Sequence, residues 1–343
     1  MSGFPESRAG KYGRTFRNWI DGNPQREKGA QLKILIAYDG SDTAENALQG
    51  LAGAGLPAKA EAILLIAVPP LLPLESLAPQ GYAVQWYAGA YAEAVDNLRK
   101  IESQARTKGV LASKRLQKLF TGWNISVETR IEVPAKAILD RAGAWKPDLI
   151  LMGSHGWGPI KKLVIGSVAQ KVLTHAQGSV RIGRTRKRGK AAAPRILIAF
   201  DGSKESQNAV AAVARREWPA GTEVKVLAVS DFQMRLDQIS MAIEKVKTPK
   251  KAATGGWPWM EQRLAKAAAT LARPGVKVRT AILSGDPRHL LVSEAAKFRA
   301  DTLFLGHRGL TGMKKFLLGS VSAHAASHAP CSVEIVRSVP KRK

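Results

Sequence analysis

Residues 32–41 read LKILIAYDGS, and residues 194–203 read PRILIAFDGS. Each is a short apolar run closed by Asp-Gly-Ser: Asp39-Gly40-Ser41 in the first, Asp201-Gly202-Ser203 in the second. An apolar run without polar alternation, ended by a turn signal, is the pattern of a strand buried on both faces of a parallel sheet. The period then changes to that of a helix. Ala44, Ala47, Leu48 and Leu51 share a face after the first run, and Ala209, Val210 and Val213 after the second. Ser41 or Asp42 can cap the first helix, and Ser203 the second.

The repeat extends outward from these openings. DLILMG at 148–153 corresponds to DTLFLG at 301–306, each followed by a Gly-rich loop, a short helical segment, His-Ala (His175-Ala176, His328-Ala329) and a last apolar run (Ser179–Ile182, Cys331–Val336). The closing segments repeat at an offset of 153 residues and the opening aspartates at 162, so the first body is longer, with the Pro-rich stretch Pro69–Pro79 a place for the excess. Between them the first body reads strand (Ala62–Val68), long helix (89–120), strand (Ile125–Ile131) and helix (Ala135–Ala144). Along the long helix Tyr91, Ala94, Val95, Leu98, Ile101 and Ala105 form one apolar face. Alternating strands and helices imply a parallel sheet covered on both sides. The predicted fold is α/β, Rossmann-like: two tandem doubly wound parallel five-stranded sheets with helices on both faces. The expected division is a basic extension over 1–30, domains over 31–183 and 194–338, a basic linker over 184–193 and a basic tail over 339–343. Ligands of such sheets bind where the strand order reverses, at the carboxyl ends of the strands.

Composition narrows the function classes. The chain has 343 residues, is 45% hydrophobic and 23% charged, and carries a formal net charge of +26. One cysteine, Cys331, excludes a disulfide framework and a multi-cysteine metal site. No uncharged apolar run is long enough to span a bilayer, and the polar first 21 residues do not resemble a secretory signal, so a cytoplasmic protein is expected. The charge excess concentrates in residues 1–30, in the seven basic residues of 181–195 (RIGRTRKRGKAAAPR) and in the four of 337–343. Basic flanks attract polyanions, so a nucleic acid or an anionic membrane is one expected class of partner. No aromatic residue interleaves the central run, which favours a solvated linker over a single-strand binder.

The loop after each fourth strand carries the chemistry. The first body has Gly153-Ser154-His155-Gly156, nine residues, then Gly166-Ser167; the second has Gly306-His307-Arg308-Gly309, nine residues, then Gly319-Ser320. Glycines let backbone N–H groups reach an anion without a side chain between. Gly-Ser opens a helix whose free N–H groups and positive dipole end face the same anion. The same spacing twice, each time after a buried strand and before a helix, is a specific signal. No P-loop sequence G-x-x-x-x-G-K-[ST] occurs.

On these residues the chain resembles a tandem universal stress protein over roughly 31–183 and 194–338. G-2x-G-9x-G-[ST] is the loop of that family's nucleotide-binding members, and both copies fit it. The resemblance implies an adenine nucleotide alpha-hydrolase-like fold and ATP as the ligand, with or without Mg2+. It matches Asp39 and Val68 to positions near adenine and ribose in the first domain, and Gly153, Gly156, Gly166, Ser167 and Val168 to the ribose and phosphate loop. In the second domain the matches are Asp201, Val229, Gly306, Gly309, Gly319, Ser320 and Val321. Intrachain or homodimeric pairing of domains is also implied. The family's Gly-x-Pro turn is Gly285-Asp286-Pro287 in the second domain but Glu132-Val133-Pro134 in the first. If Glu132 faces the ligand it repels phosphate, so the second domain is expected to bind more tightly.

No catalytic constellation or metal spacing accompanies His155 or His307, so little or no turnover is expected. Lys161-Lys162 and Lys314-Lys315 could screen phosphates, His175 and His328 complement helix ends, and Trp257 and Trp259 pack or cover the second site. The leading reading is a nucleotide-dependent stress or signalling module. Alternatives are a slow ATPase or an adenylyl-transfer enzyme, the latter lacking its Ser-Gly-Gly-x-Asp-Ser loop here, and a polyanion binder acting through linker and tails.

Overall fold

The computed structural model describes residues 31–70, 84–155, 165–184, 192–230, 258–309 and 318–338, with 84–91 as backbone alone. The first half runs β1 (Leu32–Ala37), α1 (Asp42–Gln49), β2 (Ala60–Val68), α2 (Val84–Leu119), β3 (Trp123–Ile131), α3 (Pro134–Trp145), β4 (Leu149–Gly153), α4 (Ser167–His175) and β5 (Ser179–Gly183). The second runs β6 (Arg195–Ala199), α5 (Lys204–Ala214), β7 (Thr222–Ser230), α6 (Pro258–Leu271), β8 (Val276–Ser284), α7 (Pro287–Lys297), β9 (Thr302–Gly306), α8 (Ser320–His328) and β10 (Ser332–Val336). Strand order is β3-β2-β1-β4-β5-β10-β9-β6-β7-β8, so each half is a parallel five-stranded unit whose order reverses at its first strand. The two units run together into one ten-stranded sheet because β5 pairs with β10 antiparallel. That intrachain junction is one of the two pairings the sequence leaves open. It satisfies the backbone groups of two short strands whose residues are all buried, an arrangement that exposed sheet edges could not sustain.

The sheet's two faces are not alike. One carries a single core shared by both halves, from Leu35, Ile150 and Val180 to Leu303, Val333 and Ile335. The other carries two separate cores, one built on Ile34, Ile36 and Leu64, the other on Ile196, Ile198 and Val226. The opening strands owe their burial to β-branched and leucine side chains on both faces; Ile34, Leu35, Ile196, Leu197 and Ile198 are fully buried.

The long helix departs from the expected face. Ala94, Val95 and Leu98 are only partly buried and Ile101 is 49% exposed; Tyr91 lies outside the described side chains. The helix instead meets the sheet further along, through Gly109, Ala112 and Leu116. A side chain at Gly109 would collide with Ile66 and Val127, so the crossing point is where the backbone can come closest. An apolar stripe in sequence cannot report where along its length a helix touches the sheet. The Pro-rich residues 71–79 lie outside the described residues.

Candidate functional site

In the first half, β1 and β4 are neighbours, and the helices that follow them pack on opposite faces of the sheet, α1 with Ala44, Ala47 and Leu48 on one and α4 with Ala169, Val172 and Leu173 on the other. The crevice at their carboxyl ends is a cavity of about 410 Å3. Its walls are apolar on the sheet side (Ala37, Ala67, Met152) and on the helix side (Ile138, Val168, Ala169), with Asp39, His155 and Ser167 as polar groups. Pockets of roughly 300–1,000 Å3 lined mainly by apolar groups with a few placed polar ones are the usual form of a small-molecule site.

Each polar group is held by local geometry. Gly40 adopts φ 76°, which turns the chain after β1, and Asp39 Oδ1 accepts the Ser41 N–H at 2.9 Å. Ser41 then caps α1 by accepting from the Ala44 N–H. The second half repeats this arrangement: Gly202 has φ 78°, Asp201 Oδ1 accepts from Ser203 N–H at 2.9 Å, and Ser203 caps α5. Gly153 is required by packing as much as by any ligand. A Cβ there would fall 2.9 Å from the Thr43 carbonyl carbon, and at Gly306 one would fall 2.6 Å from that of Glu205. These glycines let the first turns of α1 and α5 rest on the ends of β4 and β9.

Helices α1, α5 and α7 begin at side-chain caps, Ser41, Ser203 and Asp286. Helices α4 and α8 begin at Gly166 and Gly319 with no side-chain cap. The first helical bond of α4 runs from Gln170 N–H to Gly166, so the N–H groups of Ser167 and Val168 precede the ladder and open on the cavity. His155 Nδ1 is 3.0 Å from Ser154 Oγ, while its Nε2 is buried with no hydrogen-bond partner.

Of the residues matched in the first domain, Asp39, Gly153, Gly166, Ser167 and Val168 meet around this cavity. Val68 does not line it; it is buried, its carbonyl accepts the Glu132 N–H, and its neighbours Ala67 and Pro69 form the wall, as strand alternation requires. Gly156 lies outside the described residues, as do Lys161, Lys162, Lys314, Lys315 and Trp257. In the second half, Asp201 and Gly309 are brought together: a Cβ on Gly309 would lie 2.7 Å from Asp201 Oδ2. Gly306 ends β9, Gly319 is the N-cap of α8, Ser320 and Val321 are its first residues, and Val229 is the penultimate residue of β7. Trp259 stands over this end, with Arg263 above its ring and donating to the Gly202 carbonyl at 2.7 Å.

The expected source of asymmetry is corrected. Glu132 does not line the cavity; Lys136 pairs with its carboxylate at 2.8 Å and the Val133 N–H donates to it. Those partners hold the carboxyl below its ordinary range, so it stays ionised and turned to Lys136, which it shares with Asp140. Among the described residues, a spacious cavity at the strand ends lies in the first half. A second cleft, of about 30 Å3, lies under α5 and α6 rather than at the strand ends.

The profile of the universal stress protein family matches residues 32–182 and again 193–337. The chain belongs to that family. A universal stress protein of Mycolicibacterium smegmatis (strain ATCC 700084 / mc(2)155) is 24% identical over 324 residues, spanning 91% of this chain and 99% of the relative. Among solved structures, a universal stress protein from Archaeoglobus fulgidus DSM 4304 superposes with a TM-score of 0.55 at 19% identity, covering 90% of this chain and 97% of that one. A functionally unknown protein from Pseudomonas aeruginosa PAO1 gives 0.51 at 16% identity, covering 93% and 94%. The tandem universal stress protein arrangement therefore extends over essentially all of the described chain. No described helix is long and apolar enough to cross a membrane, and no described group of three His, Cys, Asp or Glu residues could hold a metal ion.

Both loop histidines of this universal stress protein titrate low. Burial depresses His155, with Arg184 adding repulsion; burial depresses His307, with Arg337 and then Arg308 adding to it. A histidine whose folded pKa lies below its unfolded value of about 6.5 takes up its proton more readily when unfolded. Its contribution to stability is complete above pH 6.5 and is lost as pH falls toward the folded value. The melting temperature is expected to fall between pH 7.5 and 5.5, and His155→Gln/His307→Gln to flatten that slope. An equal slope in the double variant contradicts the assignment.

Proposed function

We propose that this universal stress protein binds an adenine nucleotide, ATP, in the cavity of its first half. The observation that carries the reading is the uncapped start of α4 opening on a 410 Å3 apolar crevice beside Asp39. The apolar walls suit a purine. The Asp39 carboxylate, fixed by the Ser41 N–H, suits ribose hydroxyls. The first N–H groups of α4, the Ser167 hydroxyl and the positive dipole end suit phosphate. Mg2+ is read as the nucleotide's own counter-ion. Asp201, Gly306, Gly309, Gly319, Ser320 and Val321 form the corresponding site of the second half.

The proposed role is a stress-responsive binding module in the cytoplasm that changes its associations with nucleotide occupancy, with turnover below the usual enzyme range of about 1–1,000 per second. The polyanion reading loses support from the linker run. Arg181 is buried, Arg184 donates to carbonyls of α8 and Arg195 pairs with Glu223, so three of that run's basic residues are committed internally.

Filling the cavity tests the reading. Ala67 lines it and is only partly buried, so Ala67→Phe places a ring in the purine space without displacing core atoms. ATP affinity by calorimetry is expected to fall at least about tenfold, or roughly 1.4 kcal/mol, with the fold retained. Unchanged affinity in the folded variant contradicts the proposal.

A further inference from the structure

The β5–β10 junction is a pseudo-two-fold contact. Its register pairs Val180 with Ile335, Arg181 with Glu334 and Ile182 with Val333. The offset of 153 residues that relates Gly153 to Gly306 also relates Arg181 to Glu334. These two residues therefore occupy equivalent positions, facing each other across the axis.

Some contacts at this axis obey the symmetry. Arg184 donates through Nη2 to Ala326 O and through Nη1 to Cys331 O. Arg337, its equivalent, donates to Leu173 O and Gly178 O, the equivalent carbonyls. Ser332 Oγ accepts the Arg184 N–H as Ser179 Oγ accepts that of Arg337. These clamps would serve any pairing of halves, like or unlike.

Others break it. At the centre stands Arg181 on one side and Glu334 on the other, 3.3 Å apart, each side chain 2% exposed. Arg181 also donates to Thr302 Oγ1, and Arg216 donates to the second oxygen of Glu334 and to Ala54 O. Beside them the Glu217 N–H bonds Gly55 O, and the Trp218 indole covers Gly55 so closely that a Cβ there would fall 2.7 Å from the ring. The offset of 162 that relates Asp39 to Asp201 makes Glu217 the equivalent of Gly55, and Leu56 the equivalent of Trp218.

We infer that the junction is a pairing code: each half recognises the unlike half and rejects a second copy of itself. Two first halves would bury Arg181 against Arg181 with no carboxylate between, and would set the smaller Leu56 in the place of Trp218, leaving part of that space unfilled. Two second halves would set Glu334 against Glu334 and put the Glu217 side chain where the Trp218 ring now touches a glycine. The two Arg216 side chains could still reach those carboxylates, so rejection of the second pair rests chiefly on shape. The partner fitted by this surface is thus a complementary half. Every assembled sheet then holds one first-half cavity, and no sheet holds two.

The test uses the full chain carrying a specific protease site in place of residues 186–190, folded first and then cut. Isotope-labelled and unlabelled cut protein are mixed under conditions of slow exchange, and pairs are weighed by native mass spectrometry. Unlike pairs alone, exchanging label, are expected; a statistical mixture with like pairs overturns the inference. In the cut Arg181→Met/Glu334→Met protein, pairs of two first halves should rise at least about tenfold, because the opposed buried charges are gone. No rise overturns the role of the charges. Should that variant not fold, the intact chain still decides: Arg181→Glu must unfold at distinctly lower urea than Arg181→Met, and equal midpoints contradict the code.

Discussion

Ser167→Asp is expected to abolish tight ATP binding while leaving the fold as stable as before or slightly more so. Ser167 is the first residue of α4 and is exposed at the cavity mouth. A carboxylate there complements the positive end of the helix, a gain of about 0.3–1 kcal/mol. The same carboxylate occupies the place proposed for phosphate. At an effective dielectric near 20, like unit charges about 5 Å apart repel by roughly 3 kcal/mol before screening. Screening takes part of this, and loss of the hydroxyl donor adds to it, so a loss of about a hundredfold, roughly 2.7 kcal/mol, is the expected result. Calorimetry gives the affinity and thermal unfolding the stability. Loss of both together would point to misfolding, and retained affinity would remove α4 from the site.

The second large effect is on stability. Glu334→Ala leaves Arg181 and Arg216 without the carboxylate that both contact. Burial already pulls the Arg181 guanidinium below its ordinary value, and Glu334 is what opposes that pull. Removing one partner of a buried pair costs about 3–5 kcal/mol because the remaining charge stays desolvated. At roughly 2–4 °C per kcal/mol for domains of 150–250 residues, melting should fall by about 10 °C. Replacing both Arg181 and Glu334 with apolar residues should cost less, since only Arg216, which also donates to Ala54 O, is then left without its carboxylate. Equal losses in Glu334→Ala and in Arg181→Met/Glu334→Met would show that the pair acts by packing and not by charge.

Much of this was written locally. The runs at 32–37 and 195–199 had to be buried strands because no polar alternation interrupts them, and Asp-Gly-Ser had to turn because Gly40 and Gly202 take positive φ there. The Gly-Ser helix starts were equally legible, since a glycine at the N-cap advertises an uncapped helix. What was not legible depends on partners distant in sequence. Arg181 reads as one charge of the basic run 181–195; only a glutamate 153 residues away makes it a core residue. Glu132 reads as a ligand-facing charge until Lys136, one helical turn on, is seen to hold it. Val68 matches a position near adenine and ribose by resemblance, and only the folded strand shows that Ala67 and Pro69 beside it line the cavity. Gly153 and Gly306 read as phosphate-loop residues and also serve the seating of α1 and α5 on the strand ends.

The most direct test of the account is a count of nucleotide per chain. Protein purified without added ligand, stripped of any bound nucleotide and then titrated with ATP, would be weighed by native mass spectrometry beside the Ser167→Asp and Ser320→Asp variants. The account predicts one tightly held ATP per chain, kept in Ser320→Asp and lost in Ser167→Asp. No adduct on the unmodified chain, or one that survives Ser167→Asp and disappears in Ser320→Asp, would contradict it.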